Sequence, residues 1–154
     1  MKSSFLFSLS TIATGVWFAA ASIAAVGAPA KPLPTVLLTA TFPSDVTFNV
    51  GPVKNDIALK LANNTKGDVD LTVGNKCLVH IYEVVDAKGN DVESTFCTAE
   101  FDPQKLTLRE AEVKQETDPV VLHSENYQDK AEYTLIYSFW GVTVQKKFIA
   151  HVVK

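Results

Sequence analysis

The chain has 154 residues, with 17 acidic side chains against 14 basic ones and two cysteines. Beyond Lys146-Lys147 the basic residues form no cluster, which argues against nucleic acid as a partner. Repeats and low-complexity tracts are absent, and two cysteines alone do not supply the ligand number or spacing of a metal site.

Residues 1–28 carry the pattern of an export signal. Lys2 precedes an uncharged run from Phe5 to Ala28, which closes on Ala24, Ala25, Val26, Gly27 and Ala28. A basic start, an apolar stretch and a small-residue zone are the marks of cleavage. A membrane anchor is the rival reading. Ser8, Ser10, Thr11, Thr14, Gly15 and Ser22 interrupt the run, where an anchor favours a denser Leu, Ile and Phe stretch. Cleavage leaves about 127 residues, enough for one domain with a core. The expected location is secreted or periplasmic, with no membrane contact once the signal is removed. There an even pair of cysteines, Cys77 and Cys97, reads as one disulfide.

Residues 29–34 form a Pro-rich lead-in, and residues 35–154 a single domain. The segment from Thr35 to Phe42 is β-branched and apolar, and predicts a strand. Val46, Phe48 and Val50 alternate with Thr47 and Asn49. Gly51-Pro52 turns the chain into a strand carrying Ile57, Leu59 and Leu61. A turn at Asn64 to Gly67 leads to Val69–Val73. The span Cys77–Val85 is the longest expected strand, apolar on both faces. Asp86-Ala87-Lys88-Gly89 has the chemistry of a type I turn closed by a glycine bulge. It returns Val92–Phe96 antiparallel, with Val84 facing Val92 and Phe96 on the apolar face. Cys77 and Cys97 then lie diagonally, about 7–8 Å apart, unless the chain bends.

Lys105–Leu108 and Glu112–Glu116 are polar strand-like pieces, and Leu106–Val113 also fits a short helical turn. Asp118-Pro119 is expected to end that region, with Val120–Leu122 resuming as strand and Ser124–Lys130 as a polar loop. The last hairpin is the clearest element. With Trp140-Gly141 at its tip, Phe139 faces Val142, Tyr137 faces Val144 and Tyr133 faces Phe148. Seven to nine short strands with turns between them predict an antiparallel immunoglobulin-like β-sandwich.

Chemistry is sparse. His80, His123 and His151 fall in separate elements, and no nucleophile motif marks any serine, so no catalytic or cofactor-binding residue is assigned. Glu110, Glu112, Glu116 and Asp118 read as a solvated strand face, the alternative being paired acids for glycosidic chemistry. Asn63-Asn64-Thr65 makes Asn63 a glycosylation sequon, or simply turn chemistry. Trp140 at the hairpin tip is the candidate partner contact, the alternative being a ring folded back onto the sheet.

From Asn63 onward the order of features resembles the Bacillus-type intracellular proteinase inhibitor family, an immunoglobulin-like group. The resemblance rests on Asn64-Thr65 after an alternating strand, and on His80-Ile81-Tyr82-Glu83-Val84-Val85-Asp86 leading to Gly89 and Val92. It continues through Phe101 and Leu106 to Glu132-Tyr133-Thr134-Leu135. Two positions depart from the family pattern. Glu93 stands where it places Trp, and Arg109-Glu110-Ala111 where it places Pro-Gly-Glu. The resemblance implies the sandwich fold and a protein partner that is a proteinase. The expected function is an exported non-enzymatic binding domain. The alternatives are an envelope assembly protein acting by sheet-edge pairing, and a hydrolase with an unrecognised site.

Overall fold

Alternation of large apolar and polar residues dictates the closing hairpin, and the rest of the domain is arranged around it. The structure is a computed structural model that describes residues 36–153. The signal and the lead-in assigned to residues 1–34 lie outside the described residues. One sheet has the order β1 (Val36–Thr41), β3 (Pro52–Asn63), β8 (Val113–His123). The second has the order β2 (Asp45–Phe48), β10 (Val142–Val152), β9 (Glu132–Phe139), β5 (His80–Asp86), β6 (Asp91–Ser94). A two-stranded piece pairs β4 (Val69–Val73) with β7 (Gln104–Leu108).

This is an all-β sandwich of immunoglobulin-like type. The described residues form ten strands, more than expected, and one pairing departs from the antiparallel rule. Residues 43–44 break the first β segment, so that β1 stays on β3 while β2 crosses to run parallel to β10. Tyr133, near the start of β9, accepts a hydrogen bond on its hydroxyl from the Gln128 N–H at 2.9 Å. That bond is the corner found at this point of immunoglobulin-like sandwiches.

Odd positions of β3 and β9 face inward. Ile57, Leu59 and Leu61 meet Tyr133, Leu135, Tyr137 and Phe139 across the core. Phe48 stacks on Tyr127 with ring centroids 4.4 Å apart, and Phe148 packs beside both. Each such buried side chain contributes roughly 1.5–3 kcal/mol relative to an exposed one. The β9–β10 register has Phe139 opposite Val142, Tyr137 opposite Val144 and Tyr133 opposite Phe148, as the alternation predicts.

Four expected elements differ. The span Cys77–Val85 is not one strand: Lys76–Val79 forms a 3-10 helix, capped by the Asn75 side chain accepting from the Leu78 N–H, and β5 begins at His80. In the following hairpin Gly89 has φ +82° and its N–H bonds to the Asp86 carbonyl, as the turn chemistry requires. A bulge after Val84 then shifts the register, so that Val84 faces Glu93 and not Val92. Asp118-Pro119 does not end a strand, since β8 runs through it with Pro119 opposite Asp56. β8 is an edge strand, where a sheet tolerates a residue lacking an N–H. Leu106–Val113 forms no helix: β7 runs to Leu108, β8 starts at Val113, and the turn between them is closed by the Glu112 N–H on the Arg109 carbonyl.

Candidate functional site

The break at residues 76–79 brings several segments to one end of the sandwich. Cys77, in the 3-10 helix, is joined to Cys97 beyond the end of β6, with Cα atoms 5.7 Å apart. The helix supplies the bend that two opposed strands would have lacked. The disulfide begins a series of ties along the segment 95–103. Thr95 donates its N–H to the Tyr82 carbonyl at 2.9 Å. Asn75 Nδ2 donates to the Ala99 carbonyl at 3.3 Å, and the Asp102 N–H donates to the Gly74 carbonyl at 3.0 Å. Gln104 Nε2 closes the end by donating to the Asp102 carbonyl and carboxylate at 3.0 Å.

This fixed segment carries its aromatics outward. Phe96 is 89% exposed and Phe101 82%. Phe96 therefore does not sit on the apolar face of β6, because that strand ends at Ser94 and the disulfide turns the chain away. The Phe101 ring lies over Gly74, with two ring carbons 3.7 Å from where a Cβ would stand. Neither phenylalanine was singled out from sequence. The available signal was the loss of alternation from Thr95 to Pro103, a stretch that contains Cys97 and lies between β6 and β7.

The neighbouring side of this end is polar. Even positions of β8 turn inward, so Glu116 and Asp118 leave the solvated face expected of them, whereas Glu110 and Glu112 remain exposed. Tyr137 donates its hydroxyl proton to Asp118 at 2.6 Å, and its oxygen is left to accept from His80 Nδ1 at 2.9 Å. Glu116 meets His80 Nε2 at 3.2 Å and Lys114 at 3.7 Å. Burial, then the Asp118 carboxylate, push the Tyr137 phenol far above its ordinary range, so it stays protonated. These groups satisfy one another, and among the described residues no serine, threonine or cysteine nucleophile is bonded to His80. Among the described residues no group of three or more His, Cys, Asp or Glu is placed to hold a metal ion.

His123 and His151 stand apart from this row. His123 is bonded to Glu93, which also accepts from the Tyr127 hydroxyl at 2.9 Å. His151 meets Asp45 at 2.9 Å.

Trp140 is neither free at the tip nor fully buried. Both tip residues have positive φ, +52° at Trp140 and +76° at Gly141, the signature of a type I′ turn. The Trp140 N–H bonds to the Val79 carbonyl at 3.0 Å, and the ring packs partly on the core. Its Nε1 is buried without a hydrogen-bond partner. Trp140, Val79, His80, Gln104, Glu116 and the two lysines Lys76 and Lys114 line a hollow of about 310 Å³. Asn63 lies elsewhere, 1% exposed, with its Nδ2 held by the carbonyls of Gly67, Leu108 and Arg109. The folded domain leaves no room for a sugar on that nitrogen.

No family model matches the sequence, and no curated protein matches it. Among solved structures, a β-glucosidase from Listeria innocua aligns at TM-score 0.45 and 10% identity, over 77% of this chain and 16% of its own. The alkylpurine DNA glycosylase AlkC of Pseudomonas fluorescens, bound to DNA containing an abasic site analog, aligns at 0.46 and 11%, over 76% and 30%. A Northeast Structural Genomics Consortium target aligns at 0.41 and 14%, over 77% and 88%. The chain thus spans about a sixth of the β-glucosidase it is similar to. Likeness at this level extends to neither activity nor ligand.

Proposed function

We propose that this chain is an exported, non-enzymatic binding domain that presents the segment 95–103 to a protein partner. The observation that carries this reading is the pair of phenylalanines at 89% and 82% exposure on a segment tied by a disulfide and backbone bonds. Leaving a phenylalanine in water forgoes roughly 1.5–3 kcal/mol of burial. A tied segment regains that burial on association at little ordering cost, which is about 0.5–1.5 kcal/mol for each loosely held side chain. Glu100 and Asp102 flank Phe101, so the complementary surface is an apolar pocket rimmed by Lys or Arg. A proteinase whose specificity pocket accepts phenylalanine meets that description, and it is the partner that the family resemblance implies. Export rests on the pattern of residues 1–28, and the Cys77–Cys97 bond fits an oxidising compartment.

The test is complex formation with a panel of secreted proteinases that cleave after aromatic residues, read by size-exclusion chromatography and inhibition. A stoichiometric complex is expected. Phe101→Ala should weaken it at least about thirtyfold, the mark of a hot spot, while leaving the melting temperature unchanged. Complexes that survive both Phe96→Ala and Phe101→Ala would refute the assigned surface.

A further inference from the structure

The hollow beside Trp140 has one ammonium donor without an ion-pair partner among the described residues and a second held only at long range. Among the described residues Lys76 has no ion-pair partner, and Lys114 reaches Glu116 only at 3.7 Å. Glu116 directs its other oxygen to His80 at 3.2 Å. Two ammonium groups against one engaged carboxylate leave the mouth positive, while Val79 and the Trp140 ring make an apolar wall. The volume, about 310 Å³, is at the small end of ligand sites.

Trp140 marks the same place independently. The first position of a type I′ turn favours Asn or Gly, and here a bulky side chain holds φ +52°. Its indole N–H is buried and unpartnered. Both features cost stability, and a strained residue on the wall of a hollow points to a use for its ring.

We propose that this hollow binds a small monocarboxylate with an aromatic or apolar body. Lys76 and Lys114 hold the carboxylate from either side, and the body lies against Trp140 and Val79. One negative charge matches the two lysines less Glu116. The site is separate from the phenylalanine surface, and either stands without the other.

Titration of ¹⁵N-labelled protein with phenylacetate tests it. The expected result is a saturable shift of the Trp140 indole N–H signal, identified by its loss in Trp140→Asn. Phenylacetamide, neutral and of the same shape, should bind at least about tenfold more weakly. Lys76→Ala and Lys114→Ala should each weaken phenylacetate several-fold, and they carry the decision if Trp140→Asn does not fold. Phe96→Ala and Phe101→Ala should change nothing. The proposal is overturned by no saturable shift, by an amide that binds as well as the acid, or by lysine variants without effect. Inorganic phosphate competing as well as phenylacetate also overturns it, because the ring then contributes nothing. So does loss of binding in the phenylalanine variants, which places the ligand on the other surface.

Discussion

Asn63 is bonded on both sides of its amide. Its Nδ2 faces three carbonyls, and its Oδ1 accepts from the Thr65 N–H at 2.9 Å and the Thr65 hydroxyl at 2.7 Å. One side chain thus holds the end of β3, the turn after it and the turn between β7 and β8. Asn63→Ala removes all three of these bonds; the Gly67 and Arg109 carbonyls keep the Thr65 hydroxyl and the Glu112 N–H, so the cost is mainly that of the buried Leu108 carbonyl, about 1–3 kcal/mol. Urea denaturation should show a loss of about 1–3 kcal/mol with an unchanged slope. A loss below about 0.5 kcal/mol, the scale of an ordinary surface substitution, would show that the turns hold without it. In the sequence the same residue reads first as a sequon. Its burial depends on Leu108 and Arg109, forty-five and forty-six positions away, which no local pattern contains.

At the scale of elements, alternation is the readable signal and its interruptions are the unreadable part. The β9–β10 register follows from the sequence because a one-residue slip would put Tyr133, Leu135, Tyr137 and Phe139 in water. Pro119 looked like a stop because the rule against proline is strongest within a sheet, and strand order, which a sequence does not print, places β8 at an edge. The polar row around His80 was hidden for a related reason. Which parity of β8 faces inward is set by its packing partner, so Glu116 and Asp118 looked like solvated neighbours of Glu110 and Glu112.

Two element-scale predictions follow from ties between strands. Glu93 of β6 is bonded to His123 at the end of β8, and that bond, then the carboxylate's charge, raises the His123 pKa above its ordinary 6.5. Folding therefore takes up a proton there. The stabilisation is complete below pH 6.5 and is lost as pH rises through the folded value. The urea midpoints of the protein and of His123→Gln should differ most below pH 6.5 and converge as pH rises through the folded value. A difference that grows with pH would contradict the tie. The Cys77–Cys97 bond closes a sequence separation of 20, worth roughly 3 kcal/mol in the chain-entropy account. Cys97→Ala should lose about that much in urea unfolding, and non-reducing mass spectrometry of the unaltered protein should show a two-proton deficit. Full alkylation without reductant would disprove the bond.

For the whole molecule, the fold class was legible because turn signals recur between short alternating runs. The proposed binding segment, 95–103, was not, because its ties to Gly74, Asn75 and Tyr82 exist only once the sandwich brings those residues beside it. Export is tested at the N-terminus. Sequencing of the exported protein should begin between Ala25 and Lys31, following the small residues that close the apolar run. A product that still starts at Met1 and partitions with membranes would be an anchored protein instead.

The parallel pairing of β2 with β10 has a consequence for how the domain comes into being. Asp45–Phe48 finds its partners only in Ile149–Val152, at the far end of the described chain. Phe48 and Val46, both almost fully buried, have no finished wall to lean on until the last strand is present. A chain that emerges from its N-terminus cannot close this sandwich early, and the slow, non-local contact is left until last. Closure of the domain is therefore a late event, and a chain cut before Ile149–Val152 would leave Val46 and Phe48 without the strand that covers them.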